Sequence, residues 1–287
     1  MEPMATIALR AARKAGDHMM RALDRLDRLT VEHKGRNDLV SEVDRDCEAM
    51  VVEALHQAYP DHAVIGEEQG VSNGPGVGPG GAEYTWIIDP LDGTTNYLHG
   101  IPHFAISIAC LKGKQVEHGV IVDPLKNEEF VASRGKGAQL NGKRIRVRNR
   151  PTLEGTLIAS GLPPAHVVNG VEAYSAVQNA CMAQCGAMRR MGSAALDLAY
   201  VAAGRFDAFW EPGLKPWDIA AGVVLVREAG GFVGDLSGGD NFLEGGDIVA
   251  ANPKLFKALV GITRPHARAL RAANRPPDPV EGEHQAS

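Results

Sequence analysis

The segment Trp86-Ile87-Ile88-Asp89-Pro90-Leu91-Asp92-Gly93-Thr94-Thr95-Asn96 limits what this chain can fold into more than any other stretch. Tyr84-Thr85-Trp86-Ile87-Ile88 is apolar and β-prone, reads as a buried strand, and runs straight into an acid. Pro90 has no N–H to give to a sheet ladder, so it is expected to break the strand, and Asp92-Gly93 then completes a tight turn. Two carboxylates are thereby held close together at the carboxyl end of a strand, where α/β folds commonly hold ligands. Close carboxylates repel, so one is protonated or a cation sits between them. For hard oxygen donors the natural cation is Mg²⁺, which keeps several waters and accepts phosphate oxygens. A solvated Asp-Gly turn capping a helix is the alternative, and the apolar strand in front of the acids weighs against it.

The flanking segments supply layers. Ile7, Ala8, Ala11, Ala15, Met19, Leu23 and Leu26 recur at helical spacing and predict an amphipathic helix over residues 4–29. Lys34-Gly35-Arg36-Asn37-Asp38 reads as a turn-rich loop. A second helix buries Val43, Cys47, Met50, Val51, Ala54 and Ala58, and Pro60 stops it. Ala63-Val64-Ile65 is a short strand running into Gly66-Glu67-Glu68. Residues 70–82 are dense in Gly and Pro and predict a loop that is entropically expensive to order. The Gly76, Gly78, Gly81 spacing there neither follows a strand nor opens a helix, so it is no dinucleotide loop.

Strands are expected over residues 104–111, 116–122 and 129–132, with a hairpin turn at Asn141-Gly142. Helices over 171–184, 193–203 and 217–229 then alternate with strands, the last being 231–234 and 248–250. A meander followed by alternation predicts layered sheets and helices of mixed α/β (α+β) class. The division reads as an N-terminal α+β half over about 1–150, a C-terminal α/β half over about 151–265, and a flexible tail over 266–287.

Two further acids belong with the strand-end pair, each with a plainer role beside the chemical one. Glu67 closes a short apolar strand, where a glutamate is often a solvated turn. Asp218, in Lys215-Pro216-Trp217-Asp218, opens an apolar helix and can cap it, ligate an ion, or do both with its two oxygens. Asp44 stands where it completes a capping box with Ser41. Gly192-Ser193-Ala194 opens another helix, whose N–H groups could hold a phosphate or hydroxyl oxygen, with capping by Ser193 as the simpler role.

Together these residues resemble the inositol monophosphatase family, over roughly residues 10–256. The run 86–96 matches that family's aspartate-proline-x-aspartate-glycine-threonine signature, and Trp217 to Gly222 its tryptophan-aspartate helix start, with Glu67 correctly between. Ile7 to Gly16 and Gly192 to Gly204 look like the bacterial branch. The resemblance implies a layered α-β-α-β-α sandwich of the sugar-phosphatase type, hydrolysing a small polyol phosphate such as an inositol 1-phosphate. It implies that Glu67, Asp89 and the Leu91 carbonyl hold one Mg²⁺, that Asp89, Asp92 and Asp218 hold a second, and that a weaker third lies near Glu67. Glu67, Thr94 and Asp44 would form the catalytic group, Thr94 with Asp44 behind it orienting the attacking water. Asp92, Gly93, Thr94, Thr95, Ala194, Glu211 and Asp218 would line the substrate, with phosphate on the Gly93 and Thr95 N–H groups and a polyol hydroxyl on Glu211. Lys34 would sit on a mobile metal-side loop. Two features depart from the family pattern: the glycine-rich 70–82 loop is long, and Ser160-Gly161-Leu162-Pro163-Pro164 does not follow the usual substrate-side serine pattern.

Bacterial members are also linked to ribosomal-RNA antitermination, so transcription factors or RNA polymerase are expected partners on that resemblance, as are a homodimer and lithium sensitivity. Two basic features could serve a partner: Arg144, Arg146, Arg148 and Arg150 alternate, and Arg264, Arg268, Arg271 and Arg275 would line a terminal helix. Both are more simply solvated faces. A bisphosphate substrate is the rival within the same chemistry, and Glu211 would repel a second phosphate. A net charge of −5 argues against direct nucleic-acid binding, and no apolar run approaches a membrane span. With 4 cysteines in no disulfide or zinc spacing and no signal-like start, a cytoplasmic protein is expected.

Overall fold

The computed structural model describes residues 1–26, 31–35, 38–78, 81–162 and 170–273. Helix α1 (Pro3–Leu23) starts at a proline whose fixed φ suits the first turn, and buries Ala8, Ala12, Ala15 and Met19 along one stripe. It ends before the residue 29 its pattern predicts, and residues 27–30 lie outside the described residues. β1 (Val31–Gly35) and β2 (Asp38–Ser41) pair antiparallel around the expected turn, whose Arg36 and Asn37 are outside the described residues. In α2 (Glu42–Ala58) the buried set is Val43, Asp44, Cys47, Glu48, Val51 and Leu55. Ala58, predicted buried, is exposed, while an acid, Glu48, takes a fully buried place.

β3 (Ala63–Gly66) runs parallel to β5 (Tyr84–Asp92) and antiparallel to β4 (Gly70–Asn73). The glycine-rich segment predicted as loop therefore begins with an edge strand, since Gly70 (φ 70°) allows the reversal that returns the chain along β3. Nor does Pro90 end its strand: β5 continues to Asp92, and its register against β6 (Ala105–Lys112) slips between Asp89 and Asp92. The slip absorbs the missing N–H and re-aims the acids.

The first sheet has eight strands, ordered β10-β9-β8-β7-β6-β5-β3-β4, where β7 is Gln115–Asp123, β8 Glu128–Ser133, β9 Gly137–Leu140 and β10 Lys143–Arg144. A short helix, α3 (Thr94–Leu98), links β5 to β6. The second sheet has five strands ordered β12-β11-β13-β15-β14: β11 Leu157–Ser160, β12 Ala187–Arg189, β13 Ala208–Glu211, β14 Phe232–Gly234 and β15 Ile248–Ala251. Between and after these lie α4 (Val171–Met182), α5 (Ala194–Ala202), α6 (Pro216–Glu228), α7 (Phe242–Gly245), α8 (Pro253–Thr263) and α9 (Ala267–Ala273).

α1 and α2 cover one face of the first sheet, α5 and α6 fill the space between the sheets, and α4, α8 and α9 cover the far face of the second. The result is the α-β-α-β-α sandwich. The middle helices are apolar nearly all round because both sides are buried: every residue of α5 is buried, as is 219–226 of α6. α6 approaches β7 so closely that a Cβ on Gly119 would lie 2.7 Å from the Ala221 carbonyl oxygen.

Packed structure also runs past residue 265. Leu270 of α9 is fully buried and Arg271 pairs with Asp247 and Asp235, so the segment 266–273 is helix and connector rather than flexible tail. Among the described residues no helix is long and apolar enough to cross a membrane.

Candidate active site

The sheet geometry brings the sequence-distant acids within range of one another's charge. Asp89, within β5, is buried at 2% exposure, and its Oδ1 accepts the Leu91 N–H at 3.0 Å. Gly93 then turns with φ 95°, where an added Cβ would also press on the His103 carbonyl at 3.0 Å, so glycine is required twice over. The turn delivers Asp92 to the start of α5, where its Oδ2 accepts from Ser193 Oγ (2.6 Å) and the Ala195 N–H (2.7 Å). Ala194 is the first residue of that helix. Asp218 takes the third position of α6 and accepts the Lys215 N–H at 2.7 Å, so the capping role is real and engages one oxygen. Glu67 follows β3, and its N–H donates to the Ile88 carbonyl at 3.2 Å, extending the β3–β5 ladder beside Asp89.

Several of these groups lie within reach of one another's charge. Burial holds Asp89 well above the usual carboxylate range, and the charges of Glu67, Asp92 and Asp218 push it further. Asp218 is raised by burial and by Asp92, against the Lys215 N–H. Burial pushes Asp92 up to about 6, against hydrogen bonds from Ser193, Ala195 and Ala194. These raised values mark a site short of positive charge. In the conformation described, no three Asp, Glu, His or Cys side chains among the described residues are gathered closely enough to hold an ion. The acids instead rest on backbone N–H groups.

Thr94, first residue of α3, places its hydroxyl 3.1 Å from Asp44 Oδ1 and 3.0 Å from the Leu91 carbonyl, two acceptors for one proton. Asp44 itself accepts from the Ser41 N–H at 2.9 Å, so the predicted capping box and the Thr94 contact coexist. Thr95 is exposed at the same helix start. Asn96 ties the loop down, donating to the carbonyls of His103 (2.8 Å) and Met191 (2.9 Å).

Glu211 ends β13, nearly buried, with its carboxylate lying where a Cβ on Gly161 would be, 2.1 Å away. Burial raises it, Asp197, Asp218 and Asp92 raise it further, and Arg190 opposes them. Ser160 is buried, its hydroxyl 3.1 Å from that of Tyr174. Pro163, Pro164 and the side chain of Lys34 lie outside the described residues. Sequence reading missed Asp197, a buried acid on α5 whose Oδ1 has no hydrogen-bond partner, and Arg190. Asp197 sits in an apolar helical run, and only its polarity there could have flagged it.

Both arginine stripes are partly engaged within the chain. Only Lys143–Arg144 is strand; Arg146 donates to the Glu228 carbonyl, and Arg148 and Arg150 flank buried Asp207. Arg271 is engaged by Asp247, Arg268 is exposed, and Arg275 is outside the described residues.

A layered sandwich with a carboxylate cluster at its strand ends is the architecture of the sugar-phosphatase class. The inositol monophosphatase family profile matches residues 1–268. The chain belongs to the inositol monophosphatase family. Nus factor SuhB of Pseudomonas aeruginosa is 53% identical over 267 residues, covering 93% of this chain and 97% of that one. Among solved structures, the extragenic suppressor protein suhB of Bartonella henselae superposes with a TM-score of 0.86 at 41% identity, covering 94% and 98% of the two chains. Thermotoga maritima IMPase gives a TM-score of 0.80 at 34% identity, covering 91% and 96%.

Proposed function

We propose that this chain hydrolyses the phosphate monoester of a small polyol, resembling inositol 1-phosphate, with Mg²⁺ at the carboxylate cluster. One observation carries the reading: Asp89 is buried near the end of β5, and the charges of Glu67, Asp92 and Asp218 all bear on it. That crowd of hard oxygen donors fits Mg²⁺. Glu67, Asp89 and the Leu91 carbonyl would hold one ion, and Asp89, Asp92 and Asp218 another. Bound there, the metal would offset the ester's charge and lower the pKa of water.

The chain's own groups do the rest. Thr94, held between Asp44 and the Leu91 carbonyl, orients a water by keeping its hydroxyl in one place. The N–H groups of Gly93 and Thr95, at this glycine turn, would take phosphate oxygens. Glu211 accepts a polyol hydroxyl, and a carboxylate there disfavours a bisphosphate. A phosphate-release screen over small phosphorylated metabolites, with and without Mg²⁺ after chelation, tests this. Activity should return with Mg²⁺ and poorly with Ca²⁺; full turnover in excess chelator would refute the metal assignment.

A second reading is favoured by the name of a relative, Nus factor SuhB, at 53% identity. On it the chain also joins a transcription complex containing RNA polymerase, as a cytoplasmic homodimer. Asp89→Asn should abolish hydrolysis and keep retention by immobilised RNA polymerase; loss of both in a folded variant would tie the two roles together. Lithium inhibition of the phosphatase would place it with lithium-sensitive enzymes.

A further inference from the structure

Glu48 sits on α2 one turn beyond Asp44 and has 0% exposure, a place glutamate takes only when its charge is answered. Its two oxygens accept the N–H groups of Glu68 (2.8 Å) and Gln69 (2.7 Å), the backbone immediately after Glu67. A Cβ on Gly66, the residue before Glu67, would lie 2.3 Å from the Glu48 carboxyl carbon. The carboxylate is therefore seated under the turn that carries Glu67, and glycine at 66 makes room for it. On the other side, Glu67's own N–H is held by the Ile88 carbonyl of β5.

We propose that Glu48 is a positioning residue that fixes this turn, and so sets how tightly the carboxylate cluster takes a divalent cation. The proposal rests on reading Glu67 as a metal ligand. Glu48 acts through the backbone. Two charge-assisted hydrogen bonds keep Glu67 beside Asp89, and without them the turn between β3 and β4 would move within its edge hairpin. One rigid helix then sets two parts of the site: its first turn holds Thr94 through Asp44, and its second holds Glu67 through Glu48.

The test is Mn²⁺ binding followed by electron paramagnetic resonance on the full chain, for wild type, Glu48→Gln, Gly66→Ala and Glu67→Gln, with thermal melts of the metal-free proteins alongside. Glutamine presents an amide N–H₂ where a second acceptor is needed, and the Gly66→Ala methyl displaces an intact Glu48. Both should weaken Mn²⁺ binding by roughly ten- to a hundredfold, the range typical of groups that orient metal ligands. A merely structural Glu48 would lower the metal-free melting temperature and leave Mn²⁺ affinity at the wild-type value, and that result overturns the proposal. If Glu67→Gln binds Mn²⁺ as wild type does, the ligand reading falls and this proposal with it. If Glu67→Gln is weak and the other two are not, only this proposal falls. Should both of those variants fail to fold, amide hydrogen exchange in wild type decides. Slow exchange at Glu68 and Gln69 without metal supports the proposal, and exchange at the rate of an open turn overturns it.

Discussion

Asp92 shows how much one side chain can be asked to do. It closes the β5 turn, accepts two hydrogen bonds at the start of α5, and its charge bears on Asp89 and Asp218. Asp218 likewise caps α6 while bearing on Asp89. An asparagine at either place can keep the cap through its carbonyl oxygen and loses only the charge. Asp92→Asn and Asp218→Asn should therefore each lower kcat by at least about a hundredfold, with circular dichroism unchanged. Near-normal turnover would leave that residue as a cap alone. A second residue-scale expectation concerns His103, whose ring lies edge-on to Tyr200 with Nε2 buried and unpartnered. Burial, helped by Lys126 and opposed by Asp123, lowers its pKa to about 4 from 6.5. The unfolded chain thus binds a proton that the folded one refuses between these values. Stability is full above about pH 6.5 and falls as pH drops toward 4, by up to roughly 3 kcal/mol for this group. Urea unfolding at pH 7 and 4.5 should show a smaller loss in His103→Gln than in wild type. An equal loss in both proteins would clear His103 of the effect.

At the scale of elements, α6 links the sheets to the site. Its first turn carries Asp218, the Ser107 hydroxyl of β6 donates to the Trp217 carbonyl at 3.2 Å, and its middle rests on Gly119 of β7. A methyl at Gly119 would meet Val224 Cγ1 at 2.5 Å as well as the Ala221 backbone, and a helix buried on both sides has nowhere to retreat. Gly119→Ala should cost about 1–3 kcal/mol in urea unfolding and reduce turnover by shifting Asp218. A stable variant with wild-type kinetics would show that the contact is looser than its geometry. Strand β5 teaches a related lesson: the register slip between Asp89 and Asp92 turns Pro90 from a strand breaker into the means of presenting two acids from one strand end.

At the scale of the whole molecule, the C-terminal helix is held down by charge as well as by Leu270. Arg271 reaches Asp247, whose side chain is 1% exposed, and Asp235 at 3.2 Å, spanning from α9 to the loops beside β14 and β15. Arg271→Glu should destabilise the protein by about 2 kcal/mol, less than a fully buried pair because the guanidinium is partly exposed. Exposed Arg268→Glu should stay within about 0.5 kcal/mol. Chemical unfolding of the two variants measures both. Equal, small effects would return Arg271 to the solvent-exposed stripe that its spacing suggests. A partner surface built from arginines is thus narrower than the sequence pattern implies, since Arg148, Arg150 and Arg271 are already engaged within the chain.

What the sequence determined by itself was local. Apolar periodicity set α1, α2 and α6, strand propensity set β5, and Gly93 after Asp92 set the turn that aims the acids, because each depends on neighbours a few residues away. The resemblance in 86–96 and 217–222, with Glu67 beside them, grouped Glu67, Asp89, Asp92 and Asp218, and in the folded chain the charges of the other three bear on Asp89. Tertiary structure alone decided which partners the buried polar groups meet. Nothing in the spacing of α2 says that Glu48 will grip the backbone after Glu67, that Arg271 will reach Asp247, or that Asp197 will be buried beside Asp92. Sequence periodicity reports which face of an element is buried. A buried charge survives only against a specific donor, and that donor comes from a distant part of the chain that only packing brings near.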